Sequence, residues 1–111
     1  MLHMRVLCGE RAIEIEAIID TGFNGALSLP QDSIDFLGAL PRQLIESRLA
    51  DGQIVLLPTF QVEAQWGEEL IEVEATITAG QPLIGTVLLQ NHEIRIEVHD
   101  GGIVEITPLR N

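Results

Sequence analysis

Apolar and polar residues alternate in short runs along most of the chain, the period-two signature of half-buried strands. "IEIEAII" (13–19) alternates isoleucine with glutamate and then turns wholly apolar, so this strand runs from a half-exposed stretch into a core. "MRVLC" (4–8) pairs with it across a turn at "GER". "ALSL" (26–29) predicts a further short strand. "RLADGQIVLL" (48–57) predicts a hairpin with Asp51-Gly52 at its tip, a strong turn signal. "FQVEAQW" and "LIEVEATI" alternate on either side of "GEE", and "EIRIEV" (93–98) and "IVEITPL" (103–109) flank "HDGG", giving two more hairpins. In the last of these, the alternation sets Ile94, Ile96 and Val98 on one inward face and His99 on the opposite, outward one.

Two segments depart from this period. "PQDSIDFLGAL" (30–40) opens with proline and acidic residues, places Ile34 and Leu37 on one face, and predicts a short helix with Gly38 just past its end. "GTVLLQN" (85–91) has the propensity for one or two further helical turns. No linker or low-complexity tract interrupts the pattern. The expectation is therefore one all-β domain over residues 1–111, a closed barrel-like sheet with one or two short helices.

Composition narrows the function. Hydrophobic residues make up 46% of the 111-residue chain, enough to fold rather than stay disordered. The formal net charge is −11, with six arginines and no lysine. A basic footprint for nucleic acid is absent, and anionic membranes would repel the chain. No apolar run reaches the roughly 20 residues of a membrane span. The first residues lack the apolar core of a secretory signal, and the lone Cys8 suits a reducing compartment, so a cytoplasmic location is expected. Cys8 reads as a small core residue, and Trp66, at a strand end, as a core plug in preference to an interface anchor. His3, His92 and His99 have no metal-ligand spacing, and Ser28, Ser33 and Ser47 lie in no triad-like setting.

The chemistry concentrates at "AIIDTGFNGALSLP" (17–30), where Asp20 follows three apolar residues. Asp before Thr-Gly makes an ordinary side-chain-capped turn, and D-T-G alone is a weak signal. The setting argues for more: a carboxylate at the end of a buried strand, Gly22 for close backbone approach or an unusual φ, and Thr21 with a hydroxyl to lock the backbone. Together they put Asp20 on a rigid, deeply set loop. A fainter echo, "PLIGT" (82–86), also runs apolar residues into a small-residue turn about sixty residues further on. That spacing suits two halves about a pseudo-twofold axis rather than a solenoid repeat.

These pieces in order resemble the retropepsin-like aspartic proteases, the single-domain relatives of pepsin. "IIDTGFNGALSLP" is similar to their active-site loop, "PLIGTVLL" (82–89) to their second signature, and "LADGQ" (49–53) falls where the family carries its flap. The resemblance spans residues 4 to about 107, and "DTGF" is closer to the prokaryotic branch than to the viral one. The chain departs from the viral pattern in its bulky Phe23, its shorter flap tip with Asp51 on it, the helical look of 31–38, and its short, polar C-terminus. The bulk of Phe23 is expected to change the pocket's shape.

The resemblance implies a homodimer, because one chain carries one D-T-G and hence half a site. Two copies of Asp20 would share a proton, one activating a water and the other polarising the scissile carbonyl of an extended polypeptide. Such a pair implies a bell-shaped pH–activity profile. Thr21 would bond across the axis, and Gly22 would let the substrate backbone lie close. Ala50, Asp51 and Gly52 would close over the peptide, and Leu83, Ile84 and Gly85 would support the loop. No metal or cofactor is implied, and no nucleic acid or membrane partner. Two other readings compete: a catalytically silent dimeric peptide-binding or assembly module on the same fold, and a small monomeric barrel whose D-T-G is only a turn.

Overall fold

The computed structural model describes residues 1–109. Arg110 and Asn111, at the polar C-terminal end, lie outside the described residues.

The chain opens with the expected hairpin. β1 (Leu2–Cys8) and β2 (Arg11–Ile19) pair antiparallel from Leu2↔Ala17 to Cys8↔Arg11. Paired residues share a face, so Met4, Val6, Ile15 and Ala17 point together into the core while Arg5, Glu14 and Glu16 stay exposed. β3 (Leu27–Leu29) is buried at every position and leads into α1 (Gln31–Leu37). Ile34 and Leu37 are the buried face of α1, and Gly38 ends it in the left-handed conformation (φ 66°), its N–H bonded to the carbonyls of Ile34 and Asp35.

β4 (Pro41–Arg48) and β5 (Ile54–Trp66) form a longer hairpin than residues 48–57 alone predicted. The predicted strand stops at Leu57, but Pro58 lies inside β5 where that strand pairs with β4 alone, before its pairing with β6 begins at Phe60. A proline is tolerated where a strand's second neighbour is missing. β6 (Glu69–Ile77) returns along β5, and β7 (Leu83–Ile84) and α2 (Thr86–Leu89) come after it.

Six strands close into a barrel in the order β1-β2-β7-β3-β6-β5, with Val6↔Ala64 and Leu7↔Glu63 joining β5 back to β1. β4 extends the sheet outside the ring. Closure leaves these six strands with neighbours on both sides, and the interior is filled by Val6, Ala17, Leu27, Leu29, Val62, Ala64, Ala75 and Ile84, all essentially inaccessible. The two buried hydroxyls are satisfied: Ser28 donates to the Thr76 carbonyl and Thr59 to that of Gln43.

β8 (His92–Ile96) and β9 (Val104–Pro108) make a separate two-stranded sheet. Ile94 and Ile106 lean on the core, but Ile96 and Val98 do not: they are 56% and 92% exposed. The alternation marks which residues share a face, and only contact with another element decides whether that face is inward. Trp66 is likewise only partly buried. It packs against the edge of the core and donates its indole N–H to His92 Nε2 at 3.1 Å, tying the end of β5 to the start of β8.

Candidate active site

Asp20 sits where β2 leaves the barrel. The last residues of β2 run parallel to β7, with Ile18↔Leu83 and Ile19↔Ile84 as partners, so the two apolar runs that echo each other in sequence lie side by side. The Ile18 N–H bonds to the Pro82 carbonyl and the Asp20 N–H to the Ile84 carbonyl, both at 2.9 Å. Past Asp20 the chain turns tightly. The Phe23 N–H donates to the Asp20 carbonyl at 3.1 Å, and the Gly22 N–H donates to Asp20 Oδ1 at 2.9 Å. The latter is the side-chain-capped turn that D-T-G makes anywhere.

Beyond the turn, the path of the chain is less ordinary. β3 pairs antiparallel with β7 through Leu27↔Ile84 and Ser28↔Leu83, so β7 threads between the two arms of the Asp20 loop. The first N–H groups of a helix have no partner within it. Those of α2 are bonded to the loop: Gly85 to the Ala26 carbonyl, Thr86 to that of Phe23, and Val87 to that of Gly25, at 3.0, 2.9 and 3.1 Å. Thr86 Oγ1 also donates to the Phe23 carbonyl at 3.3 Å. Gly85 makes this approach possible. A methyl group there would overlap the Gly25 carbonyl oxygen and lie 2.6 Å from the Phe23 carbonyl oxygen and ring.

The expected residues fall into three places. Ile84 and Gly85 are buried and Leu83 is half-buried, and they form the crossing beneath the loop. Asp20 is half-buried rather than deeply set, and Thr21 and Gly22 are exposed in the single chain. Gly22 has no positive φ; a Cβ there would meet Asp20 Oδ1 at 3.3 Å. Among the described residues no cation lies within ion-pair distance of the Asp20 carboxylate. Ala50, Asp51 and Gly52 form the exposed tip of the β4–β5 hairpin, closed by Gly52 N–H to the Leu49 carbonyl and by Gln53 N–H to Asp51 Oδ1, both at 2.9 Å.

Two residues of the loop's framework were missed by reading the sequence. Thr86 supplies the hydroxyl that bonds the loop backbone, a part assigned to Thr21. Phe23 packs its ring against Gly25 and Gly85. The ring thus belongs to the loop's own packing. The signal was available in the pairing of a bulky residue with two nearby glycines, once their proximity is known.

The base of the hairpin is held by polar contacts across three strands. Arg42 Nε lies 3.4 Å from Glu74 Oε1, Arg42 also donates to Gln61 Oε1, and Gln43 Nε2 reaches both oxygens of Glu74 at 2.8 and 2.9 Å. Two shallow depressions, of about 200 and 230 Å³, lie around Gln61 and Glu72, and neither is lined by Asp20 or by the hairpin tip. Among the described residues no group of three or more His, Cys, Asp or Glu side chains could hold a metal ion. Among the same residues no helix is long and apolar enough to cross a membrane.

A crystal structure of a retropepsin-like aspartic protease from Rickettsia conorii matches this architecture with a TM-score of 0.58 over 94% of this chain and 80% of that one, at 13% sequence identity. The barrel is a retropepsin-like fold. No protein-family model matches the chain, and no curated protein matches it.

Proposed function

We propose that the protein is an aspartic endopeptidase of the prokaryotic "DTGF" type: a single domain, cytoplasmic, working as a homodimer on extended polypeptides without a metal or cofactor. The observation that supports this most is Asp20, a half-buried carboxylate on a loop clamped from beneath in a retropepsin-like barrel. A turn at the surface needs no such clamp.

Two chains meeting at this loop would bring two Asp20 carboxylates within reach of one water. One takes a proton from the water, whose oxygen adds to the peptide carbonyl carbon. The other, protonated, donates to the developing oxyanion. Thr21 and Gly22, exposed in one chain, are the residues a second copy would cover. Exposed apolar residues support a second copy as partner: Ile18 on the strand entering the loop, Val87 on the helix beneath it, and Ile96, Val98 and Ile103 on and beside the β8–β9 sheet. The β4–β5 hairpin takes the part of the flap, with Ala50, Asp51 and Gly52 at its tip.

The test is cleavage of a mixed peptide library by wild type and Asp20→Asn at several protein concentrations and across pH. The expected result is a bell-shaped profile, activity rising faster than linearly with concentration, and loss of about a thousandfold or more in the variant. Equal cleavage by both would return Asp20 to being a turn residue. Silence from both in a proven dimer would favour the peptide-binding module, for which the exposed apolar hairpin is also suited.

A further inference from the structure

Phe23, itself part of the Asp20 loop, is held at three points. Its N–H donates to the Asp20 carbonyl at 3.1 Å. Its carbonyl accepts from both the N–H and the hydroxyl of Thr86, at 2.9 and 3.3 Å. Its ring fills the space over two glycines: a Cβ on Gly25 would lie 2.6 Å from Cζ, and a Cβ on Gly85 would lie 2.6 Å from Cδ2. The ring is therefore wedged in a slot that exists only because residues 25 and 85 carry no side chain. Gly25 belongs to the outgoing arm of the loop and Gly85 to the helix entry beneath it, so one aromatic ring spans both sides of the crossing.

Asp20 in turn has two backbone anchors. Its N–H is held by Ile84, and its carbonyl is held by Phe23. The first anchor lies in the closed barrel, where strand pairing fixes it. The second depends on where Phe23 sits, and the wedge decides that. We propose that Phe23 is a positioning residue for Asp20: its ring, seated between Gly25 and Gly85, fixes the direction of the carboxylate within one chain, before a second chain arrives. This rests on the aspartic peptidase reading for its consequence in catalysis, but not for its consequence in loop order. A flat ring suits a slot bounded by two α-carbons, and a branched aliphatic side chain would fill it only in part. With the ring removed, the loop keeps its backbone bonds to β7 and α2 but loses the side-chain packing that holds residues 20–25 against them, and the carboxylate can drift by the ångström that costs a positioned group its advantage.

The experiment compares wild type with Phe23→Ala and Phe23→Leu by NMR-detected amide hydrogen exchange, by peptide cleavage kinetics and by sedimentation. In Phe23→Ala, exchange at the Gly22 and Phe23 N–H groups should accelerate by about tenfold or more, while Leu27 and Val62 keep their protection. The kcat should fall roughly a hundredfold with KM changed by less than about threefold, and dimer affinity should stay within the same limit. Phe23→Leu should fall between, and it decides by the same readouts where Phe23→Ala does not fold. Wild-type exchange at Gly22 and Phe23 in both variants overturns the proposal. So does equal acceleration at Val62, since the ring would then serve the core as a whole. A wild type that cleaves nothing defeats the peptidase reading alone, and exchange at the loop still judges the wedge.

Discussion

The Asp20 loop and the β4–β5 hairpin are both turns between apolar runs, and they are built in opposite ways. Around the loop, Ala26, Leu27, Leu29 and Ile84 are buried, and the backbone is bonded to β7 and α2 from two sides. On the hairpin, Leu44, Ile54 and Leu56 share the outer face with Glu46 and Arg48, and all three apolar residues are more than half exposed. The inner face, with Ile45, Val55 and Leu57, is only half-buried. The loop is made rigid by its own chain. The hairpin presents apolar surface that its own chain does not cover, as a segment must if it is to take hold of something else. The proposed peptidase activity asks for both a rigidly placed carboxylate and an exposed apolar arm, and here the two are separate parts of the sheet.

Substitutions can break or sharpen this contrast. The largest effect is expected at the crossing. Gly85→Ala puts a methyl group into the Gly25 carbonyl and the Phe23 ring, where backbone surrounds it on two sides. A loss of about 3 kcal/mol or more in urea unfolding is expected, a large share of a small domain's stability. A shift under about 1 kcal/mol would mean that the loop yields easily and is not clamped.

A smaller effect is expected where the β8–β9 sheet joins the barrel. Trp66→Phe keeps an aromatic ring against His92 but removes the N–H that donates to Nε2. A cost of about 1 kcal/mol is expected, measured by circular dichroism since this is the chain's one tryptophan. Exchange at residues of β8 and β9 should quicken before that of the barrel strands. No local quickening would show the small sheet to be held by Ile94 and Ile106 alone.

The smallest effect on stability is expected on the hairpin. Leu56→Ser should change the unfolding free energy by no more than about 0.5 kcal/mol, because the side chain is 60% exposed. The same change should lower kcat/KM on long peptides if the outer face contributes to substrate or subunit contact. A cost above about 1 kcal/mol would mean that the hairpin is part of the folded core and would erase the comparison.

Much of this was legible in the residues themselves. Alternation along 4–8, 13–19 and 70–77 announced strands whose two faces are now seen as inward and outward, since a half-buried strand has to alternate. Asp32 early and Gly38 late bounded a seven-residue helix, since helix ends have chemical needs that local residues meet. D-T-G and its apolar approach drew attention to residue 20. Other features were not local. The predicted hairpin ends at Leu57, yet β5 runs on through Pro58, because a proline's cost depends on whether a neighbouring strand stands beside it. Ile96 and Val98 were set inward by their period, yet no element among the described residues covers them.

The sequence alone determined most of the strands, the helix α1 and the presence of a carboxylate at the end of an apolar run, because each rests on interactions between residues a few positions apart. The tertiary structure decided which strand lies beside which, and so that Ile84 holds Asp20 and that the Thr86 hydroxyl bonds the loop. It also decided that Phe23 fits over Gly25 and Gly85. Barrel closure makes these contacts by joining segments more than sixty positions apart. No local preference encodes such a meeting; it comes from burying every apolar strand face at once.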